Sequence, residues 1–179
     1  MGTSSNGLLF PLDSVYARAG VAPPKAKELQ PDQIPMPYRS LLMHSSAMTL
    51  TLEQHVGARV LLRPLSTFLK GRWYFRRVLL SNEKTGRPVE MGAIRIRIDA
   101  FTKKVQRQIL DNQVPLGRLL RDSGIEYESR PKAFLAVTPN REMMGVFWMR
   151  EPETLYGRRT EMFHEHSKIG DIVEILPLV

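Results

Sequence analysis

The chain has 179 residues, 42% of them hydrophobic, enough for one globular domain with a substantial core. Lysine and arginine total 26 against 18 aspartates and glutamates, a formal charge of +8, so anionic partners or ligands are favoured over cationic ones. The absence of cysteine excludes disulfides, a thiol nucleophile and any cysteine-bound metal.

No apolar run approaches the ~20 residues needed to span a bilayer. The start, "MGTSSNGLLF", lacks a signal peptide's basic region and long apolar core, and Asn6 breaks the myristoylation pattern. The expectation is a soluble cytoplasmic protein with no membrane partner. Residues 1–36, including "APPKAKELQPDQIPMP", read as an irregular arm that packs locally through Leu8, Leu9 and Phe10. Residues 37–179 read as a single domain. There "PYRSLLMH" opens a short helix, and "SSAMTLTLEQHVG" a second one capped by Ser45 or Ser46. "ARVLLRPLS", "RWYFRRVLLS" and "PVEMGAIRIRID" follow as strands, the last two joined by a hairpin through Gly86. "KKVQRQILDNQ" predicts a helix with Val105 and Ile109 on one side. "VPLGRLLRDSG" predicts another, with Pro115 in its first turn and Gly124 as its stop. "AFLAVTP", "LYGRRTEMFHEH" and "DIVEILPLV" supply the remaining strands. Strands, then a helical pair, then more strands imply an α+β domain built on an antiparallel sheet.

Glu174 is a lone carboxylate in an apolar strand, on one face with Ile172, Leu176 and Leu178. Burying it is expensive unless something pairs with it. In "YFRRVLL", Arg76 and Arg77 point to opposite faces, each among apolar neighbours, so at least one enters a half-buried environment. A guanidinium there wants a carboxylate: either Glu174 in a structural pair or a small organic acid. The helix starts at "SSAMT" and "VPLGR" present free backbone N–H groups, natural anion sites that ordinary capping explains equally well. His164 and His166 flank Glu165 without an evident third ligand and read as a hairpin end, so no metal or organic cofactor is expected.

The ordered segments "LLMHSSAMT", "RRVLL", "GRPVEMG", "VPLGRLL", "LYGRRT" and "VEILP" resemble those of chorismate pyruvate-lyase, from about Leu41 to Pro177. The resemblance implies helices covering a buried ligand cavity, with chorismate as substrate, pyruvate and 4-hydroxybenzoate as products, and service to ubiquinone or a secondary metabolite. By that resemblance Arg76 grips the ring carboxylate, helped by backbone groups of Met48 and Leu116. Glu174 meets the ring hydroxyl, which makes Arg76 and Glu174 the catalytic residues, and Arg77 is structural. This chain departs at Gly92-Ala93, where the family has Gly-Arg; Arg95, Arg97, Arg158 and Arg159 are the candidate replacements. The alternative is a non-catalytic module that binds a small aromatic acid as an effector. It has the same fold type as the effector-binding domains of some bacterial regulators, although no helix-turn-helix is evident. Trp73, Tyr74 and Phe75 among arginines offer a weaker third reading, base stacking, but no nucleic-acid motif accompanies them. A monomer without nucleic-acid partners is expected.

Overall fold

The computed structural model describes residues 7–177. Seven antiparallel strands form one sheet in the order β1-β5-β6-β7-β4-β3-β2. Its strands are β1 (Lys25–Leu29), β2 (Val60–Lys70), β3 (Trp73–Asn82), β4 (Pro88–Arg97), β5 (Glu128–Thr138), β6 (Leu155–His164) and β7 (Ser167–Leu176). Six α-helices flank it: α1 (Leu12–Arg18), α2 (Tyr38–Leu42), α3 (Met48–Val56), α4 (Lys103–Leu110), α5 (Leu116–Asp122) and α6 (Arg141–Val146). The fold is α+β, as the order of elements implies. No helix among the described residues is long and apolar enough to cross a membrane.

The central strands are buried on both sides, and side-chain alternation divides them between two cores. On one face Leu79, Met91, Ala93, Leu135, Val137, Val173 and Ile175 pack under Leu12 and Tyr16 of α1 and Met143 of α6. The other face carries two separate clusters. Val78 and Leu80 pack with Leu41, Leu42, Met48 and Leu52 of α2 and α3. Tyr74, Ile94, Ile96 and Met162 pack with Val105, Ile109, Leu116, Leu119 and Leu120 of α4 and α5. Two helical pairs thus cover one sheet face from its two ends.

Several expectations need correction. The region read as an irregular arm contains α1 and β1. Leu12, Val15 and Tyr16 are all buried, the i, i+3, i+4 spacing of an amphipathic helix. β1 pairs with β5 from Lys25↔Thr138 to Leu29↔Phe134 and closes one edge of the sheet. α6 was not foreseen, although Asn140 caps it by accepting from the Met143 N–H at 2.8 Å. Neither serine caps α3: its N-cap is Ala47, and Ser46 Oγ lies 2.9 Å from His44 Nδ1 instead. Pro115 is the N-cap of α5, one position before the first turn. Pro64 is tolerated in β2 because that strand lies at the sheet edge and its pairing with β3 shifts between Pro64 and Ser66. Leu178, expected to extend the Glu174 face, lies outside the described residues.

Candidate ligand-binding cavity

Between the two helical pairs the covered face holds a cavity of about 50 Å3. Its sheet wall comes from alternate residues of adjacent strands: Arg76, Val78 and Leu80; Glu90, Gly92 and Ile94; Arg158, Thr160 and Met162; Ile172 and Glu174. Strand register sorts them into rows. Arg76 pairs with Ile94, which pairs with Ile172 and then Thr160. One step along, Val78, Gly92, Glu174 and Arg158 form the next row, and Leu80 with Glu90 the third. The roof is the start of α3 (Ala47, Met48, Thr49) and of α5 (Leu116, Gly117), together with Tyr127. A side chain at Gly117 would lie 3.0 Å from Ala47 Cβ and 3.1 Å from the Tyr127 hydroxyl, so glycine lets the two helix starts meet. No side chain caps either helix.

Arg76, Met48, Leu116 and Glu174 therefore all border one cavity. Arg76 is 2% exposed. Its only hydrogen bond among the described residues runs from Nη1 to Asn112 Oδ1 at 3.3 Å, and no carboxylate pairs with it. Asn112 is held by Tyr74, donating to and accepting from that hydroxyl at 2.7 and 2.9 Å. Burial pulls the Arg76 guanidinium down to about 10, which still leaves it charged at neutral pH. A buried cation without a counter-ion is costly.

The pairing of Arg76 with Glu174, one expectation for this strand, does not occur. Glu174 accepts instead from Arg158 Nε at 2.5 Å, across the β6–β7 register. Arg158 Nη1 also donates to the carbonyls of Leu42 at 3.1 Å and His44 at 2.6 Å, and Nη2 reaches Ser46 at 3.5 Å. One arginine therefore neutralises Glu174 and ties the α2–α3 loop to the sheet. Burial and the Arg158 charge hold His44, in that loop, below the usual histidine range.

Glu90 was missed. Its side chain is fully enclosed, and Oε2 has no hydrogen-bond partner among the described residues. Burial, reinforced by Glu174, pushes its carboxyl well above the usual carboxylate range. Thr160 Oγ1, at the cavity's far side, is also unpartnered. The signal for Glu90 was present, since it alternates with Gly92 and Ile94 in "VEMGAI", but its pairing depended on neighbours that sequence does not locate. Ala93, the point of departure from the lyase pattern, faces the opposite core. Of the candidate replacement cations, Arg95 pairs with Asp171 at 2.5 Å and Arg97 with Asp99 at 3.3 Å. Only Arg158 borders the cavity, already committed to Glu174. Tyr74 and Phe75 are core residues, not a stacking surface. His164 ends β6 at a turn through Glu165 and His166, and no group of three or more metal-ligating side chains occurs among the described residues.

No family model matches the sequence, and no curated protein matches it. Solved structures do. PhnF from Mycobacterium smegmatis aligns with a TM-score of 0.60 at 9% identity, over 76% of this chain and 65% of PhnF. The effector domain of PhnF alone aligns at 0.56 and 9%, over 73% of this chain and 88% of that domain. The ligand-binding domain of a proposed GntR-family transcriptional regulator from Bordetella bronchiseptica aligns at 0.53 and 12%, over 66% and 85%. The chain thus spans about two thirds of full-length PhnF and most of its effector domain. It has the fold of GntR-family effector domains, a fold shared with chorismate lyase.

The reading as a chorismate pyruvate-lyase, with its chorismate, pyruvate and ubiquinone roles, is therefore corrected. The structural neighbours are regulator effector domains and give the lyase itself no support. The site offers a physical reason. The carboxylate assigned to the ring hydroxyl is locked to Arg158.

Proposed function

We propose that this domain is a non-catalytic effector-binding module that takes a small organic carboxylate into the cavity under α3 and α5. The supporting observation is Arg76: buried, charged and unpaired, at a cavity wall, it lacks the counter-ion that nearly every buried cation has. A ligand carboxylate supplies that counter-ion in bidentate geometry. The uncapped N–H groups at Met48 add a second, oriented donor set. Leu116 with Val78 and Ile94 forms an apolar wall suited to a hydrocarbon body. Glu174 serves this site as the counter-ion that holds Arg158 and, through it, the loop over the cavity. An aromatic acid enters when that loop shifts; a compact aliphatic acid fits without it.

Isothermal titration with benzoate, 4-hydroxybenzoate and short aliphatic acids tests the reading. Wild-type protein binds at least one of them, and Arg76→Met weakens it about 100-fold, the ~2–3 kcal/mol of a charge-assisted pair. Equal affinity in the variant sinks the proposal. Incubation with chorismate releases no pyruvate.

A further inference from the structure

Glu90 is another group at the cavity that the described residues do not satisfy. It stands four positions along the sheet from the Arg76 row, about 13 Å by strand rise. Its side chain shortens that span. Oε1 lies 2.9 Å from where a side-chain carbon at Gly92 would sit, so the carboxyl folds over Gly92 toward the row of Arg76. Glycine at 92 leaves that space open, and Val78 Cγ2, 3.5 Å from the same point, forms its wall. Oε2 has no partner. The carboxyl then sits over the Gly92 row, about 7 Å of strand rise from the row that carries Arg76, and both residues line the same cavity with apolar side chains such as Val78 and Ile94.

Resting on the carboxylate reading of Arg76, we propose that Glu90 is a specificity-determining residue of the cavity, receiving the hydroxyl or carbonyl tail of a monocarboxylate whose acid end lies on Arg76. A neutral carboxyl both donates and accepts, so either tail is served. The environment favours that neutral form, because burial and Glu174 both oppose ionisation. A second carboxylate on the ligand would be buried without a counter-ion beside the charged Glu174, because the cation there, Arg158, is spent on Glu174 and on the carbonyls of Leu42, His44 and Ser46. Dicarboxylates are therefore rejected. Leaving a buried hydrogen-bonding group unmatched is also what makes such a site discriminate against a ligand lacking the tail.

Matched probes test this by titration calorimetry: 4-hydroxybenzoate with benzoate, 5-oxohexanoate with hexanoate, and adipate as the dicarboxylate. The expected result is a tenfold or greater preference for the tail-bearing member of at least one pair, with adipate weaker than hexanoate. Glu90→Leu removes the preference while leaving benzoate or hexanoate affinity within about threefold, and Glu90→Ala serves should the leucine variant not fold. Equal binding of both members by wild type, or a preference that survives loss of Glu90, overturns the proposal and leaves the Arg76 site standing. Binding of no carboxylate at all overturns both.

Discussion

Adjacent arginines on β3 show how differently the two sheet faces are built. Arg77 points into the α1 side, where Nη1 reaches Glu142 at 2.8 Å and the guanidinium stacks 4.8 Å over the Tyr16 ring. Tyr16 donates to the same carboxylate at 2.7 Å, and its phenol is pushed up by burial and that bond. The charge of Arg77 is answered there by Glu142, although its Nε has no hydrogen-bond partner among the described residues. Arg76, one residue earlier, points into the cavity and meets only the Asn112 amide. The contrast teaches that the sheet can give an inward arginine a carboxylate partner, and at Arg76 does not. Unsatisfied polar groups in a native interior call for an explanation, and a ligand is the economical one.

Three experiments break or sharpen that contrast. The largest effect belongs to Arg158→Met, which leaves Glu174 buried and unpaired and frees the α2–α3 loop. Urea unfolding should show a loss of roughly 3–5 kcal/mol, largely recovered by Arg158→Met/Glu174→Leu. A single variant as stable as wild type would mean that the pair contributes nothing.

The arginine neighbours come next. Arg77→Met should cost about 1 kcal/mol, discounted because Glu142 is partly exposed, and should leave carboxylate affinity unchanged. Arg76→Met should leave stability unchanged or raise it, as it removes an uncompensated buried charge. If Arg76→Met is the more destabilising of the two, the faces are not different in kind.

The smallest effect is pH-dependent. With its carboxyl raised above the ordinary value of 4.5, Glu90 keeps its proton longer in the native than in the unfolded chain. Its contribution to stability therefore falls as pH rises above about 4.5. Glu90→Gln should match wild type near that pH and exceed it by a margin that widens as pH rises to 7.5. A difference independent of pH in urea titrations would show that Glu90 ionises normally.

Much of the fold was legible. Period-2 alternation marked β3, β4, β6 and β7, and Val105 with Ile109 marked the buried side of α4. The short elements of the first 36 residues were hidden because Pro and Gly dominate there, and because β1 needs β5 beside it to be a strand. The four singled-out site residues share one cavity, but their partners were not readable. Arg158 sat in view as a basic residue beside a glycine, indistinguishable from an exposed turn until β6 was set against β7.

The sequence by itself determined which side chains lie on which face, since alternation along a strand is a local property of the backbone. It also showed that Glu174 and at least one arginine of β3 had to enter the interior. Only the tertiary structure decided who meets whom. Register placed Arg158, and not Arg76, opposite Glu174, and folded Glu90 over Gly92. Charges 16 or more residues apart are matched by strand order alone, and that order is a global choice that no single segment encodes.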